Sequence, residues 1–197
     1  MLKVDHRKML KHLYSASKTA PAVLEIPPMN FLMIDGKGRP PEKDFQEAVS
    51  TLYPVAYTLK FMVRASDDVD YHVMPLEVIW KVNRQTKDFA WTMLVMQPEY
   101  VTGDLYGEAV AKVQAKNCPP LLSRLRFERF TEGTCVQFLH TGRYQDMEAA
   151  FEKMLAFAQQ NGYAVPARNT HDIYLNDSRK TKPENLKTVM RLVVEKS

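Results

Sequence analysis

The stretch "CVQFLHTGRYQDMEAAFEKMLAFAQQNGY", residues 135–163, decides the fold. It opens as an apolar strand and ends that strand at His140. It turns at Gly142 and then shows apolar residues at Met147, Ala150, Phe151, Met154, Leu155 and Ala158. Those positions fall on one face of an α-helix, so a helix is predicted after the turn. The same spacing occurs near the N-terminus in "RPPEKDFQEAVSTLYPVAYTLKF", at Phe45, Ala48, Val49, Leu52, Tyr53 and Ala56. Pro54 sits inside that second pattern and is expected to kink or end its helix.

The flanks repeat as well. "AVLEI", a "PPM" break and "NFLMIDGKG" precede the first helix, and "RLRFERF", a "TEG" turn and "TCVQFLHTG" precede the second. Each reads as a strand hairpin feeding a helix. "DYHVMPLEVIW" and "FAWTMLVMQ" follow the first helix across the polar gap "KVNRQTKD". "NTHDIYLND" and "TVMRLVVEK" follow the second. The chain is therefore read as an α+β fold. A hairpin-helix-strand-strand module is duplicated into a pseudo-two-fold antiparallel sheet, with helices on one face and a cleft between the halves. As a single domain over 1–197 it divides into an N-terminal half at about 21–98, a linking helix at about 99–120 capped at Thr102, and a C-terminal half at about 121–197. The first 20 residues are expected to form a short helix or a flap.

Composition narrows the function. The net charge is +4, spread along the chain, and hydrophobic residues make up 45%. No helix-turn-helix, zinc-finger or aromatic RNA-binding pattern accompanies that charge, so nucleic acid is not an expected partner. No apolar run approaches the roughly 20 residues that span a bilayer, and no cleavable leader pattern is seen. A cytoplasmic protein with no membrane contact is expected. Cys118 and Cys135 form no CxxC motif and the five histidines show no metal-ligand spacing, so no metal is expected, and with no GxGxxG or P-loop pattern to cradle phosphates no cofactor is expected.

A duplicated sheet forms a groove on its pseudo-axis. Laying "PLEVIW" against "HDIYLN" matches Glu77 with Asp172, two carboxylates in otherwise apolar strands. Alternation sets Glu77 with Ile79 and Asp172 with Tyr174, which suggests that both acids face a pocket. A carboxylate among aromatics either binds a flat cation or, with its pKa raised by burial, works as a general acid or base. Trp80, Trp91, Tyr57, Tyr71, Tyr144 and Tyr174 are the candidate walls. His140 is a candidate contact, and Tyr144 is expected to anchor the helix start with its hydroxyl toward the pocket.

At these residues the chain resembles the GyrI-like small-molecule-binding superfamily. The resemblance is carried by "VQFLHTGRY", "MPLEVIW", "WTMLVMQPEYVT" and "HDIYLNDSRKTKPENLKTVMR", and extends from about residue 10 to the end. It is strongest to the stand-alone branch, whose members resemble cyclopropanoid cyclopropyl hydrolases. Those open the strained ring of yatakemycin- and duocarmycin-type alkylators by adding water. The resemblance implies a small aromatic or cationic ligand. It implies catalytic roles for Asp172 or Glu77 as base and for Tyr144 or Tyr174 as donor, with Trp80 and Trp91 as walls. A non-catalytic sequestering role, or a gyrase-inhibitor-like interaction role, is the alternative. The chain departs from the family pattern at Asp172 (usually Glu), Val78 (Gly), Lys81 (a second aromatic) and Arg143 (Pro). These changes imply a narrower or differently charged cleft.

Overall fold

The computed structural model describes residues 1–38, 40, 42–83 and 88–197. Half of the polar gap "KVNRQTKD", residues 84–87, lies outside the described residues. Strands are β1 Leu2–Val4, β2 Ala22–Ile26, β3 Met29–Lys37, β4 Val69–Tyr71, β5 Glu77–Asn83, β6 Asp88–Gln97, β7 Arg126–Phe130, β8 Gly133–Thr141, β9 Tyr163–Ala164, β10 Thr170–Tyr174, β11 Lys187–Val193 and β12 Glu195–Lys196. Helices are α1 His6–Met9, α2 Lys11–Tyr14, α3 Lys43–Asp67, α4 Gly103–Asn117 and α5 Met147–Gln160.

One antiparallel sheet of eight strands, in the order β2-β8-β11-β10-β5-β6-β3-β7, carries the fold. The order is symmetric about the β10–β5 junction, as expected for a duplicated module. The two strands of each predicted hairpin, however, do not pair with each other. β2 pairs with β8 of the second half, and β7 pairs with β3 of the first. This exchange caps each sheet edge with a strand from the opposite half and ties the halves together. Sequence patterning marks a strand but not its partner.

Both long helices lie on one face, here the near face. Phe45 of α3 stacks on Trp80 with ring centroids 5.8 Å apart. Phe151 and Met154 of α5 pack with Val136, Phe138, Met190 and Leu192. α3 runs unbroken through Pro54 and is not ended by it. Pro54 and Ser50 are both exposed, so the Ser50 carbonyl that loses its helical donor remains open to water. The linking helix is α4, and Thr102 caps it by accepting from the Leu105 N–H at 3.3 Å.

The sheet's opposite face, the far face, is covered by the N-terminal segment, where Leu13 and Tyr14 are buried. That segment is strand and short helices rather than a loose flap.

Close approach requires glycine at Gly36. It pairs with Trp91 across β3 and β6, and a Cβ there would overlap the Trp91 ring. Phe45 packs edge-on to the same indole at 5.4 Å, so the ring has little room to retreat. Gly36→Ala should therefore lower the unfolding free energy by about 1–3 kcal/mol, read as a lower urea midpoint with unchanged slope.

Candidate functional site

The two halves meet where β5 lies beside β10, with Asp172 opposite Val78, His171 opposite Ile79 and Ile173 opposite Glu77. Directly opposed residues share a face, and alternate residues take opposite faces. The near face therefore carries Asp172, Val78, Trp80 and Tyr174, and the far face carries Glu77, Ile79, His171 and Ile173. This corrects the matching of Glu77 with Asp172. A two-fold through the Asp172–Val78 pair relates Glu77 to His171 and Trp80 to Tyr174. Gly38 and Gly142, both at positive φ (90° and 132°), occupy equivalent turns under the same relation. A shift of one residue in the alignment moved Glu77 to the wrong side of the sheet.

On the far face a chain of buried polar groups runs across four strands. The Tyr14 hydroxyl donates to Glu77 Oε1 at 2.7 Å. Glu77 Oε2 stands 2.9 Å from His171 Nε2, within ion-pair reach but without hydrogen-bond alignment. His171 Nδ1 lies 3.0 Å from Glu132 Oε1, and Glu132 Oε2 accepts from Arg191 Nη1 at 3.0 Å. Arg191 continues to Gln137 Oε1 at 3.0 Å and to the Leu13 carbonyl at 2.6 Å. Gln137 in turn donates to the His12 and Ser15 carbonyls. Burial works to lower the His171 pKa, but the Glu132 and Glu77 carboxyls raise it to about 9. Burial likewise works to raise Glu132, but His171 and Arg191 hold it down to about 2. This set is internally matched and closed to solvent, with Glu77 at 0% exposure. It fastens the N-terminal segment to the sheet.

The near face is different. Asp172 is 4% exposed, and its Oδ1 has no hydrogen-bond partner among the described residues. Burial pushes its pKa up to about 7, against the opposing pull of the His171 charge and of Thr170 and Trp80. Buried Trp91 Nε1 and Thr188 Oγ1 on the same face are also unpartnered among the described residues. Trp80 Nε1 donates to the Tyr174 hydroxyl at 3.2 Å. The Tyr144 ring meets Tyr174 edge-on at 5.6 Å. Tyr144 is 39% exposed, and burial raises its hydroxyl pKa.

His140 lies one residue before the end of β8 on this face, opposite Thr188, with its Nε2 2.9 Å from the Arg143 carbonyl. It thereby pins the turn in which Gly142 adopts φ 132°, and the turn sets Tyr144 at the helix entrance. Trp91 is buried in the core beside Phe45. Tyr71 is buried beside His6 and Tyr100, in the N-terminal corner.

Tyr57 is placed elsewhere. It lines a groove of about 940 Å³ between α3 and α4, with Phe61, Met62 and Leu105. This open groove contains none of the titratable groups described above. Lys81 lies on the far-face side of β5 and is exposed, so it adds no charge beside Asp172. Val78 does occupy the position opposite Asp172. The Phe45–Trp80 stack was not anticipated, although Phe45 belongs to the apolar stripe of α3.

Among the described residues no group of three or more His, Cys, Asp or Glu side chains is placed to hold a metal ion. No described helix is long and apolar enough to cross a membrane.

This architecture, a duplicated α+β sheet with a carboxyl and aromatics at the junction of its halves, defines a class of small-molecule-binding domain. Residues 19–194 match the GyrI-like small molecule binding domain, and the chain belongs to that family. A hydrolase from Listeria innocua is similar at 35% identity and a TM-score of 0.88, covering 98% of this chain and 100% of that one. An uncharacterised conserved protein from the same organism is similar at 35% identity and a TM-score of 0.90, with the same coverage. The EcmrR C-terminal domain shares the fold at 14% identity and a TM-score of 0.52, over 90% of this chain and 98% of that one. No relative was found among curated proteins.

Two consequences follow for stability. Glu132→Gln leaves His171 and Arg191 short of a buried counter-charge and should destabilise the protein by about 3–5 kcal/mol in urea unfolding at neutral pH. Asp172 has a folded pKa of about 7 against a model-peptide value of 3.8, so the folded state holds the extra proton between those values and loses stability as pH rises through that window. Asp172→Asn should remove this slope. The variant should be more stable than the parent at pH 8, by on the order of a few kcal/mol, and should lose that advantage at pH 4. Melting curves across that range check the sign.

Proposed function

We propose that the protein takes a flat aromatic ligand against Asp172, between Trp80, Tyr174 and Tyr144, and hydrolyses a strained cyclopropane ring in it by adding water. The observation that carries this reading is Asp172: a buried carboxyl with a free Oδ1 and a pKa near 7, on an aromatic face. Such a group is divided between acid and base forms at neutral pH, where proton transfer is most effective. The similar Listeria innocua protein is a hydrolase, which supports the reaction class. Trp80 and Tyr174 supply rings against which a flat ligand can lie.

In this reaction Asp172 takes a proton from water as the water oxygen bonds to the electrophilic ring carbon. The cyclopropane C–C bond breaks, and its electron pair becomes that of a phenolate. Tyr174 or Tyr144 donates a hydrogen bond to that oxygen as its charge develops, and the phenol forms on protonation. Glu77 is given no part, because it lies on the far face in a closed network.

The test mixes purified protein with a spirocyclopropyl-cyclohexadienone compound and follows water addition by mass spectrometry. Parent protein should yield the ring-opened product. Asp172→Asn should slow it by about 100-fold or more, while a folded Glu77→Gln variant should retain turnover. Unmodified compound co-eluting with the parent protein would instead establish a sequestering binder. Turnover surviving Asp172→Asn would exclude Asp172 as the base.

A further inference from the structure

Trp80 and Tyr174 are equivalent under the two-fold, yet they do not stand side by side. Trp80 is opposite Thr170 on the paired strands, while the Tyr174 N–H bonds back to the Leu76 carbonyl. Their backbones thus lie four strand positions apart on either side of the Asp172–Val78 pair, about 13 Å at strand rise. Their side chains nonetheless meet, indole N–H to hydroxyl at 3.2 Å. Both therefore lean inward over the axis, and their contact crosses above Asp172. Each is only partly buried, whereas Asp172 beneath them is 4% exposed.

We infer that the Trp80–Tyr174 hydrogen bond is the latch of a gate that closes Asp172 from solvent, with Tyr174 as its moving leaf. The inference rests on the reading of Asp172 as the reactive group and adds how that group is reached.

The two sides are held unequally. Trp80 lies flat on Phe45, with an interplanar angle of 6°, and Phe45 is wedged against Trp91. That stack is continuous with the α3 core and holds the indole still. Tyr174 packs on the core cluster, but it is not stacked: the ring beside it is Tyr144, met edge-on at an interplanar angle of 78°, and Tyr144 sits 39% exposed in the turn before α5. Tyr174 is also near the end of β10, where the chain leaves the sheet. Swinging its phenol outward gives up some packing on the core cluster, exchanges one neutral hydrogen bond for water and disturbs no ion pair of the far face. A ligand then enters between a fixed indole and a displaced phenol, and the freed tyrosine hydroxyl and indole N–H both point at it.

The gate is tested without any ligand. A water-soluble carbodiimide with an amine nucleophile, applied near neutral pH, labels accessible carboxyl groups, and peptide mass spectrometry gives the rate at Asp172. Exposed Asp104 supplies the open reference. Alkylation of Cys135, 0% exposed on the far face, reports global opening. Parent Asp172 should label far more slowly than Asp104. Tyr174→Phe and Trp80→Phe each keep a ring but remove the latch. Asp172 labelling should rise about three- to tenfold in each, the change in open population expected from one lost hydrogen bond, with Cys135 alkylation unchanged. Equal Asp172 labelling in all three proteins overturns the gate, and so does a rise matched by Cys135. Because no substrate is used, absence of ring-opening activity would leave this result standing, and a failed gate would leave the hydrolysis test intact.

Discussion

The placement of Asp172 opposite Val78 is the constraint on which the rest depends. It fixes the register of the central strand pair, where the two halves meet on the two-fold. Because side chains alternate, it assigns every polar residue of the centre to a face. One position either way would set Asp172 against the N-terminal segment and His171 among the aromatics. The far-face chain acts against such a slip. Moving β10 by one residue would take His171 away from Glu77 and Glu132 at once and leave Glu132 and Arg191 without their partner. Breaking a buried pair costs far more than forming it gains, so this network disfavours wrong registers more than it adds to net stability.

The two faces treat charge in opposite ways. On the far face each buried charge has a counter-charge or a carbonyl, and the acids and bases shift apart: Glu132 down to about 2 and His171 up to about 9. Both stay ionised at neutral pH, and neither is suited to proton transfer there. On the near face Asp172 has no cation of its own among the described residues, and burial brings it to about 7. His171, its neighbour in sequence, works from the other side of the sheet to lower that value, so the far-face network also limits how far the acid is raised. Two buried carboxyls in opposite electrostatic settings are thus separated by the thickness of one sheet.

The duplication was legible because both helices keep their apolar spacing and both lead-in turns keep a glycine. The α4 cap at Thr102 was legible from local chemistry alone. The strand exchange of β2 and β7 was not, since an apolar five-residue strand reads the same whichever neighbour it pairs with. Asp172 and Tyr174 were legible as sharing a face through simple alternation. Glu77 was assigned to the same cleft only by aligning carboxylate with carboxylate. The structure relates it instead to His171, a pairing of unlike charges that a search for repeated residue types passes over. Tyr57 was drawn in by its aromaticity, but its place off the apolar stripe of α3 put it outside, at 46% exposure.

The remaining departures from the family pattern act together at Asp172. An aspartate sits one methylene closer to its strand than a glutamate, and Val78 fills the space directly opposite it. The shorter acid sets the carboxyl deeper beneath the roof, and the valine narrows the space beside it. A shorter acid under a Trp80–Tyr174 bridge is better shielded, which raises its pKa and keeps water from it at rest. The same shortening demands that a ligand descend further to reach it, and an error of about 1 Å in reacting distance can cost a hundredfold in rate. With Asp172 as the reacting group, a ligand would have to be thin enough to pass between indole and phenol and long enough to reach the axis.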